Sequence, residues 1–282
     1  MKEAIMKKIA TIQDISCIGK CSLTVALPIL SAMGIETAVI PTAVLSTHTA
    51  FDGFTFRDLT SDIGGILDHW KKEGFSFDAV YSGYLGSPEQ IDLVRRTWKE
   101  FSGPETLHIV DPAMADNGSL YKGFTQAFAD EMARLCGEAD LIMPNLTEAA
   151  LMTHSPYRPE GGRDYIQDML RRLAELGSRY SMLTGVSPEP DRLGAMIYDS
   201  RDNIFYEYYN EKLPVKFHGT GDIFASCMAG GMTIGKGLEE SMAIAVDYTL
   251  ECIRATTANA GYNWYGVDFE TAIPYLVRRI GK

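Results

Sequence analysis

Short apolar runs alternate along this chain with longer amphipathic stretches, and this alternation constrains the fold more than any other feature. The apolar runs predict strands at Lys8–Gln13, Glu36–Pro41, Asp78–Ser82, Leu107–Asp111, Asp140–Pro144, Tyr180–Thr184, Leu193–Tyr198 and Asn203–Tyr209. The amphipathic stretches predict helices at Ser22–Met33, Ser61–Glu73, Pro88–Phe101, Gly123–Leu135, Thr147–Met152, Arg163–Leu176, Asp222–Ile234, Leu238–Asn259 and Glu270–Ile280. Because several strands are apolar throughout, we expect them to be buried on both faces. The sequence therefore predicts an α/β fold, with a mostly parallel sheet flanked by helices.

The last two predicted strands break this alternation. Only the polar turn Asp199–Asp202 separates them, so they are predicted to form a hairpin that adds an antiparallel edge to the sheet. No repeat, low-complexity segment or linker composition divides the 282 residues. We therefore predict one domain over residues 1–282.

Composition argues against two classes of partner. The net charge of −11 opposes a nucleic-acid surface, which needs clustered lysine and arginine. No apolar stretch approaches the roughly 18 residues of a membrane span, and the first apolar run is too short for a signal peptide. The five cysteines are odd in number and form no C-x-x-C pair. They favour a reduced, cytoplasmic location over a disulfide scaffold or a zinc site.

Polar residues follow most of the predicted strands. They are Asp14, Thr42–Thr49, Gly83-Tyr84, Asp111, Asn145–Glu148 and Thr184-Gly185. In sheets of this kind, ligands bind beyond the carboxyl ends of the strands. We therefore expect these residues to converge on one edge of the sheet.

The segment from His218 to Asp222 introduces a predicted helix. Glycines at 219 and 221 let main-chain N–H groups turn toward a common point, and the helix directs the positive end of its dipole to the same place. Thr220 adds a hydroxyl, and Asp222 places a carboxylate in the first turn, where the dipole is expected to keep it ionised at neutral pH. Such a cradle suits phosphoryl transfer to an alcohol, with the carboxylate as base. The same residues are also typical of a glycine-rich turn with a capping aspartate.

Two further segments place carboxylates after strands. Asp111 and Asp116 share a loop, as in a magnesium–phosphate site, although Asp-Pro and Asn-Gly pairs also form ordinary turns. Asn145 and Glu148 have the spacing of a capping box, and both can also face phosphates and organise Mg²⁺ through water.

Two segments offer groups for a ring-shaped substrate. Thr42–Phe51 is typical of a loop that closes over a ligand, with His48 as a hydrogen-bonding group, or of a plain surface loop. Tyr84 offers an aromatic wall with a phenol group, or is a core residue.

In this order the motifs resemble those of the pyridoxal (vitamin B6) kinases of the ribokinase-like superfamily, over nearly the whole chain. The resemblance depends on Ser46–Thr49, Ser82–Gly86, Asp111–Met114, Asn117–Tyr121, Pro144–Glu148 and Gly219–Asp222. It implies a three-layer α/β/α sandwich, a homodimer, and phosphorylation of the 5′-hydroxymethyl group of a B6 vitamer by ATP. It also implies Mg²⁺, and leaves a requirement for a monovalent cation open.

The resemblance also implies roles for individual residues. Asp222 is the implied catalytic base, with Gly219, Thr220 and Gly221 as the anion hole. Magnesium and ATP are assigned to Asp111 and Glu148, joined by Asp116, Asn145, Thr184, Gly219 and Gly221. The pyridine ring and its substituents are assigned to Asp14, Ser46, His48, Thr49, Tyr84 and Asp222.

Three positions depart from that family. Asp14 stands where many B6 kinases have serine, Ala115 where glycine is usual, and Thr184 where some relatives have lysine. A carboxylate at position 14 can pair with a cationic aminomethyl group, which favours pyridoxamine as the substrate. The alternatives are a hydroxymethylpyrimidine kinase of thiamine synthesis and a catalytically idle sensor that binds a nucleotide or a B6 vitamer.

Overall fold

The computed structural model describes residues 6–282 and contains every predicted strand and helix. The strands are β1 (Lys8–Ser16), β2 (Glu36–Leu45), β3 (Phe56–Asp58), β4 (Phe77–Ser82), β5 (Ser102–Val110), β6 (Ala115–Asp116), β7 (Ser119–Leu120), β8 (Leu141–Ile142), β9 (Tyr180–Val186), β10 (Arg192–Asp199) and β11 (Ile204–Glu211). The helices are α1 (Leu23–Ala32), α2 (Thr60–Glu73), α3 (Pro88–Phe101), α4 (Gln126–Gly137), α5 (Leu146–Met152), α6 (Arg163–Ala174), α7 (Thr220–Thr233), α8 (Leu238–Ala258) and α9 (Phe269–Arg279). The bounds of α3 match the prediction because Ser87 caps the helix and proline occupies its first position.

A mixed sheet of nine strands forms the centre of the described part of the chain, in the order β11-β10-β9-β8-β5-β4-β1-β2-β3. The strands from β2 to β9 along this order pair in parallel. The β10 and β11 strands are antiparallel and form the predicted edge hairpin. Because the parallel strands end at the same edge, the polar residues at their carboxyl ends are brought together.

Side chains alternate along the inner strands between two apolar cores. Ile12 and Val80 belong to the core that β1 and β4 form with α2 to α6. Ile9 and Tyr81 belong to the opposite core, formed with α1, α7, α8 and α9. Each inner strand is therefore apolar on both faces, and the prediction of a three-layer α/β/α sandwich is confirmed.

Two short segments differ from the prediction. Thr42–Leu45, predicted to begin a loop, continues β2 and pairs antiparallel with β3. Ala43 and Leu45 are buried there, which explains why this polar segment remains in the sheet. Ala115–Leu120, on the loop after β5, forms the small hairpin of β6 and β7.

None of the helices in residues 6–282 combines the length and the apolar character that spanning a membrane requires.

Candidate active site

The start of α7 lies beside the carboxyl end of β1. Gly219 precedes the helix with a φ of +80°, in the left-handed region that favours glycine. A Cβ atom at this position would lie 2.0 Å from the main-chain oxygen of Lys20. Thr220 begins the helix, and its hydroxyl donates to the main-chain oxygen of Phe217 at 3.3 Å. Since the first N–H groups of a helix have no acceptor within it, this turn has main-chain donors that could face a ligand. That Gly219, Thr220 and Gly221 form an anion hole stays a prediction.

The loop between β1 and α1 has an unusual backbone. Gly19, Lys20 and Ser22 have φ values of +152°, +52° and +51°, which are strained for the two residues that carry side chains. The Lys20 ammonium pairs with Asp268 at 2.7 Å and with Glu270 at 3.0 Å. The region around the start of α9 therefore fixes the loop that packs against α7. The sequence pattern does not indicate this contact.

Asp222 lies between two groups of polar side chains. Its charge raises the pKa of Asp111 on one side, and the charge of Asp14 raises the pKa of Asp222 from the other. Burial is the larger cause, and together these effects raise the pKa of Asp222 from 3.8 to about 7. The expectation that the helix dipole keeps this carboxylate fully ionised at neutral pH is therefore wrong. A dipole contribution of roughly 0.3–1 kcal/mol does not offset loss of water together with a neighbouring negative charge.

Asn145 and Glu148 form the predicted capping box at the start of α5. The Asn145 side-chain oxygen accepts from the N–H groups of Thr147 at 2.8 Å and Glu148 at 3.0 Å. In return, Oε2 of Glu148 accepts from the Asn145 N–H at 2.9 Å. Oε1 of Glu148 accepts from the N–H groups of Met114 at 3.0 Å and Ala115 at 3.4 Å. Because main-chain donors occupy both carboxylate oxygens, an interaction with a metal through water is favoured over a direct bond.

Asp111 follows β5 and is repelled by the charge of Glu148. Burial, and then the charges of Glu148 and Asp222, raise the pKa of Asp111 well above its usual range. Burial raises the pKa of Glu148 to about 7, although its hydrogen bonds from main-chain N–H groups act in the opposite direction. A divalent cation would relieve this repulsion, so these two residues fit Mg²⁺. No group of three or more potential ligands among residues 6–282 could hold a metal by itself. Mg²⁺ commonly takes one or two carboxylates and completes its shell with phosphates and water.

The other residues predicted to bind ATP lie next to this pair. Asp116 in β6 is exposed, and it accepts hydrogen bonds from the main chain of Asn117 at 2.8 Å and from its side chain at 2.7 Å. Its charge contributes to the raised pKa of Glu148. The main chain of Thr184 in β9 pairs with that of Asn145 as an isolated parallel β-bridge. These residues, predicted from separate segments, are thus brought together, and their binding of ATP stays a prediction.

Asp14 and Tyr84 lie on the other side of Asp222. Asp14 lies within β1, which continues to Ser16, and not after the strand as predicted. It is only 4% exposed, and its carboxylate accepts a hydrogen bond from the Ser16 hydroxyl at 2.9 Å. Burial, and then the charge of Asp14, raise the pKa of Tyr84, whose ring packs 5.6 Å from that of Phe124. These two residues predicted to bind the ring are therefore neighbours.

In the loop after β2, two side chains predicted to bind the substrate form hydrogen bonds with main-chain groups instead. The Ser46 hydroxyl accepts from the N–H of Thr55 at 2.9 Å. Nδ1 of His48 accepts from the N–H of Ala50 at 3.1 Å, so Nε2 carries the proton and donates to the main-chain oxygen of Tyr265 at 2.9 Å. Both ring nitrogens are therefore engaged. Only the ring face and edge of His48 remain for a substrate.

Thr47 and Thr49 differ in their surroundings. Thr49 is exposed, whereas the Thr47 hydroxyl is buried and has no hydrogen-bond partner among residues 6–282. A buried hydroxyl without a partner is a stronger candidate for a ligand contact. Sequence reasoning missed Thr47, because nothing in the sequence distinguishes it from its neighbours. Substrate binding by Ser46, His48 and Thr49 stays a prediction.

Tyr121 and Cys21 also enter the site without having been predicted. Loss of water around its oxygen, and then the charge of Glu148, raise the pKa of the Tyr121 phenol, although 43% of the residue is exposed. Burial, followed by the charges of Asp222 and Asp14, raises the pKa of Cys21 to about 12. Such a thiol is protonated at neutral pH and does not act as a nucleophile. Cys21 therefore contributes shape and apolar surface to the site.

Comparison with known proteins gives a consistent result. The family model for phosphomethylpyrimidine kinase matches residues 58–267. The pyridoxine/pyridoxal/pyridoxamine kinase of Bordetella avium is 27% identical over 261 residues, which cover 88% of this chain and 85% of that protein.

Two solved structures share the whole fold. A candidate phosphomethylpyrimidine kinase from Bacteroides thetaiotaomicron, crystallised with pyridoxal, is 38% identical, with a TM-score of 0.90 and coverage of 96% of both chains. Pyridoxal kinase from Lactobacillus plantarum is 29% identical, with a TM-score of 0.88 and coverage of 96% of this chain and 97% of that one. The similarity therefore includes the sheet, both helical layers and the segments at the carboxyl edge.

Proposed function

The chain belongs to the phosphomethylpyrimidine kinase family, within the ribokinase-like superfamily, and from this premise we propose that it transfers the γ-phosphoryl group of ATP to the 5′-hydroxymethyl group of a B6 vitamer. The observation that carries the proposal is the place of Asp222, at the start of α7, between the acidic residues around Glu148 and the polar residues around Asp14. Pyridoxal in the crystal of the Bacteroides relative supports a B6 ring as the acceptor.

Asp222 has the position and the pKa of a general base. It accepts the proton of the 5′-hydroxyl group while that oxygen bonds to the γ-phosphorus. The bond from this phosphorus to the bridging oxygen breaks, and ADP leaves with the electron pair. A base is most effective when its pKa lies near the working pH, and the value of about 7 meets this condition. The main-chain N–H groups from Gly219 to Gly221 stabilise the charge on the transferred group.

The nucleotide lies on the side of Asp111 and Glu148. Mg²⁺ bound there with the phosphates would neutralise part of their charge. Asp111 would face the ion, and Glu148 would hold its water ligands. Asp116, Asn145 and Thr184 border the same space.

The family itself favours a second candidate, a hydroxymethylpyrimidine kinase of thiamine synthesis. That substrate is also a flat nitrogen ring with a hydroxymethyl group beside an amino group. We propose to separate the two by ATP-dependent ADP release, with product masses, for pyridoxamine, pyridoxal, pyridoxine and hydroxymethylpyrimidine. Turnover of B6 vitamers supports the proposal, and turnover of hydroxymethylpyrimidine alone replaces it with the second candidate. ATP binding without any turnover favours the idle sensor.

Activity is expected to depend on pH through Asp222. Only the ionised carboxylate accepts a proton, so kcat/KM should rise with pH up to about 7 and then level off. Because the charge of Asp14 contributes to this pKa, Asp14→Asn should move the rise to lower pH. The measurement is kcat/KM from pH 5 to pH 9 for both proteins, with pyridoxine as the acceptor. An unchanged midpoint in the variant contradicts the coupling.

Stability should depend on pH with the opposite sign. The folded-state pKa of Asp222 lies above the unfolded value, so the folded protein binds the proton more tightly. The contribution of this group to the free energy of unfolding is therefore greatest below pH 4 and is lost as pH rises toward 7. Asp222→Asn should abolish this decrease in the free energy of unfolding between pH 4 and pH 7.

Glu148→Gln is expected to weaken both folding and nucleotide use. One side-chain oxygen becomes an NH₂ group that faces main-chain N–H donors, and a buried unsatisfied group costs about 1–3 kcal/mol. We expect a lower melting temperature and a raised KM for Mg-ATP, with a smaller change in the KM for the vitamer. The control is Glu89→Gln, in the exposed first turn of α3, which should match the wild type. An unaltered KM for Mg-ATP would remove Glu148 from the nucleotide side.

Three further properties stay predictions. We infer one kinase domain over residues 1–282, a homodimer and a cytoplasmic location, on the resemblance and on cysteine usage. Sedimentation of the purified protein tests the oligomeric state.

A further inference from the structure

We propose that Asp14 selects substrates with a cationic aminomethyl group next to the reacting hydroxymethyl group, so that pyridoxamine is preferred over pyridoxine. This inference rests on the proposed function, since it concerns the same site. Asp14 is a specificity-determining residue in this proposal and takes no part in the transfer of the proton or the phosphoryl group.

The first observation is the close association of Asp14 with the base. The start of α7 lies against the loop that follows β1, because a Cβ atom at Gly219 would be 2.0 Å from the main-chain oxygen of Lys20. The two charges are close enough that Asp14 contributes to the raised pKa of Asp222. In this proposal, a substrate whose reacting oxygen meets Asp222 presents its nearest substituent to Asp14.

The B6 ring identifies that substituent. The 4′ group occupies the ring carbon adjacent to the one that carries the 5′-hydroxymethyl group, whereas the ring nitrogen lies one atom further away. In pyridoxamine the 4′ group is an aminomethyl group, which is an ammonium at neutral pH. In pyridoxine it is a neutral hydroxymethyl group. Only the first forms a charge-assisted hydrogen bond with a carboxylate.

The second observation is that the described part of the chain provides no cation for Asp14. Among residues 6–282 no lysine or arginine lies within ion-pair distance of it, and the hydrogen bond from Ser16 is neutral. Lys20, on the adjacent loop, is directed to Asp268 and Glu270. His48 has both nitrogens engaged by main-chain groups, and burial lowers its pKa, so it is neutral at pH 7.

A carboxylate that is 4% exposed and has no cation is costly to keep charged. The titratable groups that face it are Asp222, Cys21, His48 and Tyr84, and none of them supplies a positive charge at neutral pH. Burial accordingly raises the pKa of Asp14. A substrate ammonium would supply the missing charge, which explains why an aspartate is suitable at this position.

The test compares pyridoxamine with pyridoxine, which differ only at the 4′ group. We expect Asp14→Asn and Asp14→Ser to lower kcat/KM for pyridoxamine by about 10- to 100-fold, the effect of one charged hydrogen bond, and to change pyridoxine much less. The ratio of the two kcat/KM values is the diagnostic quantity. Both substrates use the same base, so an altered pKa of Asp222 cancels in this ratio.

The control is Asp199→Asn. Asp199 is also buried, at 3% exposure, but it accepts hydrogen bonds from main-chain N–H groups in the turn between β10 and β11. This variant should keep the wild-type preference for pyridoxamine. An equal loss for both substrates in the Asp14 variants overturns the proposal, because it indicates a structural role or a contact with the ring nitrogen that all vitamers share.

Calorimetric titration of each vitamer without ATP separates this inference from the proposed function. Tighter binding of pyridoxamine than pyridoxine, lost in Asp14→Asn, supports the inference even if the wild type phosphorylates neither. Phosphorylation of both with equal efficiency by the wild type leaves the proposed function intact and overturns the inference. If both Asp14 variants fail to fold, the wild-type ratio decides. A preference for pyridoxamine that falls as Asp14 is protonated at lower pH supports the proposal, and a ratio independent of pH rejects it.

Discussion

Asp222→Asn is expected to lower kcat by about 10²–10⁴-fold while ATP still binds. The amide keeps the size and the position of the carboxylate at the start of α7, but it cannot accept the proton of the attacking hydroxyl group. Loss of the base therefore affects the chemical step and leaves the nucleotide side largely unchanged. Single-turnover phosphorylation and calorimetric titration with an ATP analogue measure the two effects separately.

The same substitution is expected to stabilise the folded protein at pH 8. The ionised Asp222 carboxylate is half-buried near Asp14 and Asp111, and an amide removes that repulsion. A higher melting temperature together with lost turnover is the signature of a residue retained for chemistry. The matched control is Asp62→Asn in the exposed first turn of α2, which should alter neither quantity. Near-wild-type turnover of Asp222→Asn removes this residue from the mechanism.

The fold can be predicted from the sequence largely because its inner strands are short and apolar. Each strand contributes to two cores, as Ile9 and Ile12 do in β1, and the resulting apolar runs are recognisable without knowledge of the partner strands. The missed strand β3 has no such pattern, since Phe56, Arg57 and Asp58 are all exposed. Its pairing with Thr42–Leu45 depends on a contact across the loop, which local patterns do not contain.

The site divides in the same way between local and distant contacts. The capping box of Asn145 and Glu148 was predicted because its hydrogen bonds join residues at most three positions apart. The raised pKa of Asp222 depends on burial and on the charge of Asp14, a residue that lies far from Asp222 in the sequence. The hydrogen bond from the His48 ring to the main-chain oxygen of Tyr265 likewise cannot be predicted from local sequence patterns. Residue types thus predict many of the groups around the site but not all, as Thr47 and Cys21 show. The packing determines which groups are protonated and which of their atoms remain free.

Gly219→Ala is expected to reduce kcat/KM by about 10²–10³-fold, the effect of losing one donor of an anion hole. The new methyl group would meet the main-chain oxygen of Lys20 at 2.0 Å. Neither side can yield easily, because Lys20 is held by its ion pairs with Asp268 and Glu270. The start of α7 must therefore move, and with it the N–H groups that face the phosphate. Steady-state kinetics and thermal melting of the variant measure the result.

Gly235→Ala provides the matched control at the other end of the same helix. Gly235 has a φ of +81°, almost equal to the +80° of Gly219, but its Cβ atom would meet nothing within 4 Å. This control should lose only the roughly 1–2 kcal/mol of a left-handed alanine and keep its kcat/KM. Gly221→Ala tests the cradle without the clash, since no atom lies within 4 Å of its Cβ position either. It should fold with normal stability and lose activity only because the methyl group obstructs the phosphate. Normal activity in both Gly219→Ala and Gly221→Ala would contradict an anion hole at the start of α7.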